Sequence, residues 1–243
     1  MRPSNMKYAI FSDTHSNLPA LEAVLSDIEK QGVNKILHCG DLVGYGPFPN
    51  EVIDLIRNKG IAGVMGNYDD GVGFGRNECG CAYTDRTQEL LGHRSLEWTK
   101  THITEENKKF LRNLPHELRF SQGAFEVLIV HGSPRKINEY LYEDRPLKTF
   151  NRLLETGRCN LLVCGHTHLP YHKVIGDKHI VNVGSLGKPK DGDPRAAYTL
   201  LTLTEDLGVS FRRVAYDVER IAMAIEASEL PCEYAEMTRR GTG

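Results

Sequence analysis

The chain has 243 residues, enough for one large domain or two small ones with a substantial buried core. Its hydrophobic share of 40% and charged share of 26% are those of an ordinary soluble globular protein, and a formal net charge of -2 gives no electrostatic footprint for nucleic acid or an acidic membrane. No apolar run reaches the length of a membrane span, and residues 1–6 lack the apolar core of a signal peptide, so a cytoplasmic protein is expected.

The first strand is expected over Lys7 to Ser12, with Asp13-Thr14-His15 directly after it. Leu18, Leu21, Val24, Leu25 and Ile28 then recur at helical spacing. Ser16 or Asn17 can cap that helix, and Gly32 suits its end. A second strand, Ile36 to Cys39, stops at Gly40-Asp41. Val52, Ile53 and Ile56 mark a second helix closed by Gly60, and Ile61 to Met65 a third strand ending in Gly66-Asn67-Tyr68-Asp69. Residues 70–83 read as a glycine-rich irregular loop beside the site. That loop carries Cys79-Gly80-Cys81, a poor zinc site without a second pair, whereas Cys39 and Cys164 read as small buried thiols in strands.

Two helices are expected around residues 86–101 and 104–113, the second capped by Thr104. A fourth strand, Glu126 to Val130, ends at His131; a helix opened by Pro146 runs to Gly157. A fifth strand, Asn160 to Cys164, ends in Gly165-His166-Thr167-His168. Gly176-Asp177 is a hairpin signal between Tyr171 to Ile175 and Lys178 to Val181, and the second arm ends at Asn182. Ala197 to Leu203 and Val209 to Ala215 form a further antiparallel pair, Asp217 caps a last helix, and the polar tail from Cys232 is expected to be loosely held. Early strand–helix alternation argues for parallel strands and the late hairpins for antiparallel ones. No linker or repeat divides the chain, so a single domain over residues 1–243 is expected, with two packed sheets and helices outside them.

Six apolar runs thus end in metal-competent side chains: Asp13 and His15, Asp41, Asn67, His131, His166 and His168, and Asn182. Each alone reads as a turn residue. Together they point at one crevice, because the carboxyl ends of strands in an open α/β sheet converge. Imidazoles, carboxylates and an amide oxygen without thiolate suit manganese, iron or zinc, with cobalt and nickel also compatible. The seven from Asp13 to His168 exceed one tetrahedral ion. A pair of metals roughly 3.5–4 Å apart, sharing both oxygens of Asp41, uses them all.

Asp13-Thr14-His15, Gly40-Asp41-Leu42-Val43-Gly44, Gly66-Asn67-Tyr68-Asp69, His131-Gly132-Ser133-Pro134 and Gly165-His166-Thr167-His168, closed by Asn182-Val183-Gly184-Ser185, resemble in order the motifs of the calcineurin-like metallophosphoesterases, most of all the small prokaryotic phosphodiesterase branch. The resemblance implies a four-layer αββα sandwich. It places one metal on Asp13, His15, Asp41 and His168, and the second on Asp41, Asn67, His131 and His166. It implies in-line attack of a metal-bound hydroxide on a small phosphorylated substrate, with Asp41, Asn67, Tyr68 and Asp69 as catalytic positions and Asn17, Asn67 and Tyr68 as substrate contacts. Asn17 reads equally well as the helix cap.

The sequence departs from the family at Tyr68, where many members carry the histidine that protonates the leaving group, and Asp69 would orient that histidine. A phenol of pKa about 10 is a poor proton shuttle near neutrality. Substrates whose leaving group is already a stable anion are therefore expected: aryl diesters and phosphoanhydrides. The alternatives are a phosphomonoesterase or protein phosphatase of the same fold, and a non-catalytic scaffold. Nucleic acid and membrane are not expected partners.

Overall fold

The computed structural model describes residues 6–83 and 85–242. Sheet A has strand order β10-β9-β1-β2-β3, where β1 is Met6–Phe11, β2 Lys35–His38, β3 Ala62–Gly63, β9 Ala196–Leu203 and β10 Leu207–Val214. Sheet B has order β4-β5-β6-β8-β7, where β4 is Glu117–Gln122, β5 Phe125–Val130, β6 Leu161–Cys164, β7 Tyr171–Ile175 and β8 Lys178–Asn182. Strands β1, β2 and β3 run parallel, as do β5, β6 and β8, while β9, β10, β4 and β7 add antiparallel edges. Early alternation and late hairpins are thus both borne out, in two mixed sheets.

The sheets face each other through Tyr8, Ile10 and Leu37 on one side and Val127, Ile129, Val163 and Val181 on the other. Helices α1 (Leu18–Glu29) and α2 (Pro49–Asn58) cover the far side of sheet A, where Leu21, Val24, Ile28, Ile53 and Ile56 pack on Ala9 and Phe11. Helix α6 (Leu147–Gly157) covers sheet B through Phe150, Leu153 and Leu154, which meet Leu128 and Leu162. This is the four-layer αββα order expected from the resemblance. Among the described residues no helix is long and apolar enough to cross a membrane.

Four expectations are corrected. Residues 67–73 are a helix, α3 (Asn67–Gly73), not the start of a loop. Its glycines disfavour a helix locally, but buried Val72 and close packing on α4 (Arg86–His102) and α5 (Glu105–Arg112) override that. The third strand shrinks to two paired residues, because Met65 N–H turns away to Pro115 O (2.8 Å). Strand β4 was not expected at all; it is a charged edge strand with no continuous apolar run. The tail from Cys232 is not loose: α8 (Glu233–Arg240) buries Tyr234 and Ala235 against Ile221 and Ile225 of α7 (Val218–Glu226).

Candidate metal centre

The loops after the parallel strands are knitted together by backbone. Asp13 N–H donates to Gly40 O (2.9 Å), His15 N–H to Asp41 O (3.0 Å), Gly165 N–H to His131 O (2.9 Å) and Leu186 N–H to Ser12 O (2.8 Å). The carboxyl ends of both sheets therefore meet at one place. Five of the seven candidate ligands, Asp13, His15, Asp41, His166 and His168, hold φ between 48° and 66°, the left-handed region. Such backbone costs of the order of 1–3 kcal/mol per residue and persists where surrounding structure fixes it. Close backbone approach is also needed: a Cβ on Gly66 would stand 2.1 Å from Asp41 Oδ1.

Two buried clusters result, Asp13 with His15 and His168, and Asp41 with His131 and His166. In each carboxylate one oxygen is taken by backbone. Asp13 Oδ2 accepts from His166 N–H (3.0 Å) and Asp41 Oδ1 from Tyr68 N–H (2.8 Å). Asp41 Oδ2 alone faces both clusters, 3.4 Å from His131 Nε2 and 3.8 Å from His15 Nε2. The expectation that both oxygens of Asp41 bridge is thus corrected: one oxygen points at both groups, because the other is spent on α3.

Three imidazoles are oriented through their far nitrogen. His15, His131 and His168 place Nδ1 on the carbonyls of Val43 (3.0 Å), Cys39 (2.8 Å) and Lys188 (2.5 Å). A carbonyl accepts only, so each ring carries a proton on Nδ1 and turns Nε2 inward; on His15 and His168 that nitrogen is a lone pair, and on His131 it takes a metal or a proton. The His15 and His168 lone pairs face each other, and the inward nitrogen of His131 crowds the second cluster. His15 Nε2 lies 3.3 Å from His168 Nε2, and His131 Nε2 lies 2.9 Å from Asn67 Oδ1 and 3.1 Å from His166 Nδ1. Asp13 Oδ1 is buried with no hydrogen bond. Acceptors packed against acceptors repel unless a cation lies among them, so the residues present fit a pair of metal ions.

The protonation energetics agree. Burial drives His15 and His166 down to about 3 and His168 well below the usual imidazole value, the state a ligand needs. Burial also pulls on His131, but the Asp41 carboxylate overrides it and holds the ring at about 9. In the absence of metal, a proton on His131 does part of a cation's work.

The remaining expected site residues fall into place unevenly. Asn67 Nδ2 donates to Cys79 O (3.1 Å) and lies 3.3 Å from Cys81 Sγ, which aims Oδ1 at the second cluster. The loop with Cys79-Gly80-Cys81 therefore orients a candidate ligand. Asn17 is the α1 cap: Oδ1 accepts from Ala20 N–H, and Nδ2 donates to Gly187 O and Tyr216 Oη, leaving nothing for substrate. Asp69 is a brace. Its oxygens accept from Asp41 N–H (2.9 Å), Leu42 N–H (2.8 Å) and Gly66 N–H (2.9 Å), and burial together with Asp41 pushes its carboxyl up to about 7. The Tyr68 hydroxyl is enclosed beside Tyr45, Cys79, Cys81 and Tyr83, and burial pushes it well above the usual phenol value. Asn182 braces the Gly165–His168 loop, donating to Gly165 O (2.7 Å) and Thr167 Oγ1 (3.0 Å). Sequence reading missed the flanking residues: Tyr45, edge-on to His15 at 4.8 Å; Tyr140, 4.0 Å from the His166 ring; and Lys188. Gly187-Lys188-Pro189-Lys190, directly after the closing motif, was the available signal.

Residues 6–206 match the calcineurin-like phosphoesterase superfamily domain. An uncharacterized protein of Methanocaldococcus jannaschii, MJ0912, is 35% identical over 92% of this chain and 93% of its own length. The phosphodiesterase YfcE of Escherichia coli is 27% identical over 81% and 87%. A metallophosphoesterase from Sphaerobacter thermophilus superposes with a TM-score of 0.75 at 32% identity, covering 97% of this chain and 99% of the other. With strand order, ligand clusters and sequence in agreement, the chain belongs to the calcineurin-like phosphoesterase superfamily.

Proposed function

We propose that the protein is a phosphodiesterase working with two divalent transition-metal ions, manganese, iron or zinc in the first place, on a small phosphorylated substrate. The observation that carries this reading is the position of Asp41 Oδ2 between His15 and His131, one acceptor serving two clusters. Asp13, His15, His168 and Asp41 would hold one ion, and Asp41, Asn67, His131 and His166 the other. When bound, such a pair supplies positive charge to the transferring phosphoryl group and lowers the pKa of water toward neutrality.

The protein's own work is preparation. Backbone carbonyls lock three imidazoles in one tautomer, and backbone N–H groups lock two carboxylates in one rotamer. All seven donors are almost wholly withdrawn from water, which strengthens every charge interaction among them. No solvent-open imidazole or phenol stands at position 68 to protonate a leaving group. This favours substrates that release a stable anion. The fold also serves monoesterases, but the site adjoins a cleft lined by the rings of Tyr45, Tyr83, Tyr140 and Tyr234, which suits the organic groups of a small diester.

The test is hydrolysis of bis(p-nitrophenyl) phosphate and p-nitrophenyl phosphate by protein stripped with chelator and reloaded with manganese, iron, zinc, cobalt or nickel. Metal-dependent cleavage with the diester preferred is expected. Preference for the monoester would reassign the substrate class, and no metal-dependent cleavage of either would overturn the proposal.

A further inference from the structure

The cleft beside the metal centre is lined by Tyr45, Tyr83, Tyr140, Tyr234, Lys188 and Lys190. Its walls are continuous with the candidate ligands. The Lys188 carbonyl accepts from His168 Nδ1, the Tyr45 ring meets His15 edge-on, and the Tyr140 ring lies over His166. Lys190 stands within electrostatic reach of Asp13 and Asp41. A group bound in the cleft is therefore next to anything bound at the clusters.

The cleft holds two cations and no anion. Lys188 is half-buried, its Nζ 4.6 Å from the Tyr45 centroid and 5.6 Å from that of Tyr234, so it rests on aromatic faces. Lys190 is exposed at the mouth. Neither ammonium has a hydrogen bond or ion pair with another described residue. The nearest acids along the chain are spent elsewhere, Asp191 on Arg213 and Asp193 on Arg195. Surface lysines usually lie in solvent with nothing to bind. Two that converge on one aromatic cleft, without a carboxylate between them, are arranged for an external anion.

We propose that Lys188 and Lys190 form an anion subsite that takes the phosphate adjoining the scissile one, so that the substrate class is a phosphoanhydride of the nucleoside polyphosphate type. This deepens, and rests on, the phosphodiesterase reading. A simple diester carries a single negative charge at the scissile phosphorus, whereas an anhydride adds charge one phosphate away, where the lysines stand. The chemistry fits position 68 as well. Water's oxygen forms the new bond to phosphorus and its proton passes to solvent; the bond to the bridging oxygen breaks, and the neighbouring phosphate leaves with the electron pair. That leaving group is a stable anion and needs no proton from a side chain.

The test compares adenosine monophosphate with α,β-methylene adenosine diphosphate, whose carbon bridge resists hydrolysis, as inhibitors of bis(p-nitrophenyl) phosphate cleavage by the manganese-loaded protein. The diphosphate analogue is expected to bind at least about tenfold more tightly. Lys188→Gln and Lys190→Gln should each bring that ratio to within about threefold, and Lys190→Arg should retain it. Lys190 is exposed, so its variants keep the test decisive if Lys188→Gln unfolds. The proposal is overturned if the wild type shows no preference for the diphosphate, or if the glutamine variants keep it. If no metal supports diester cleavage, the proposed activity fails by itself, and calorimetric binding of the same analogue to wild type and Lys190→Gln then decides the subsite.

Discussion

The Tyr68 backbone N–H donates to Oδ1 of Asp41 at 2.8 Å, and this bond decides which carboxylate oxygen meets the two clusters. Helix α3 thereby does more than present Asn67. Its first turn fixes the rotamer of the shared carboxylate, and Asp69, one residue on, ties the backbone of Asp41 and Leu42 to the same turn. The Gly66-Asn67-Tyr68-Asp69 motif and the Gly40-Asp41 motif are one unit.

Breaking that unit from a distance is expected to cost both stability and metal. Asp69→Asn puts an N–H₂ against backbone N–H donors that now have carboxylate acceptors. It should destabilise the fold by about 1–3 kcal/mol. Thermal unfolding should show the loss, and metal affinity should fall with it because Asp41 is no longer held. An unchanged melting temperature would mean that Asp69 is not a brace.

Gly66→Ala tests the close approach. Its Cβ would meet Asp41 Oδ1 at 2.1 Å and Asp41 N at 2.2 Å, and rigid backbone cannot give way. Overpacking of this kind costs on the order of 1–3 kcal/mol. Activity is expected to fall further than stability accounts for, since the displaced group is the carboxylate proposed to be shared by both ions. Gly75→Ala, with nothing within 4 Å but a φ of +66°, is the control and should cost stability alone.

These relationships mark what the sequence could and could not convey. Strand ends were readable because a buried apolar run followed by glycine and a polar residue is a local pattern, and the seven candidate ligands came with it. Asn17 as a cap was readable for the same reason. The role of Asp69 was not, because its partners Asp41 and Leu42 lie 28 and 27 residues away. Helix α8 and strand β4 were hidden too. Tyr234 and Ala235 are the only buried residues of α8, and β4 alternates exposed and half-buried positions with no apolar run. Their structure comes from tertiary contact.

Stability of the metal-free protein should depend on pH in a defined sense. Folded His15, His38 and His166 titrate at about 3, and His168 also lies well below the usual value, against about 6.5 when unfolded. Below about pH 6.5 the unfolded chain takes up protons that these imidazoles refuse, so stability falls as pH drops toward 3. His131, raised to about 9, contributes in the opposite sense: its stabilisation is complete below about pH 6.5 and fades as pH rises through 9. Chelator-treated protein should therefore melt highest near neutrality and lose at least about 5 °C between pH 7 and pH 5. A flat or rising melting temperature toward acid would contradict these burial effects.

Position 68 sets a kinetic expectation. Without a side-chain acid, rates on aryl methyl phosphodiesters of graded leaving-group pKa should fall steeply as that pKa rises. Tyr68→His should flatten the slope if the imidazole reaches the bridging oxygen. A slope already flat in the wild type would show that another group protonates the leaving oxygen.

The central claim is that Asp41 is shared by two ions. Metal analysis of purified, reloaded wild type, Asp41→Ala and His168→Ala measures it directly. Two ions per chain are expected in the wild type, near none in Asp41→Ala and about one in His168→Ala. Equal losses in the two variants, or a single ion in the wild type, would contradict it.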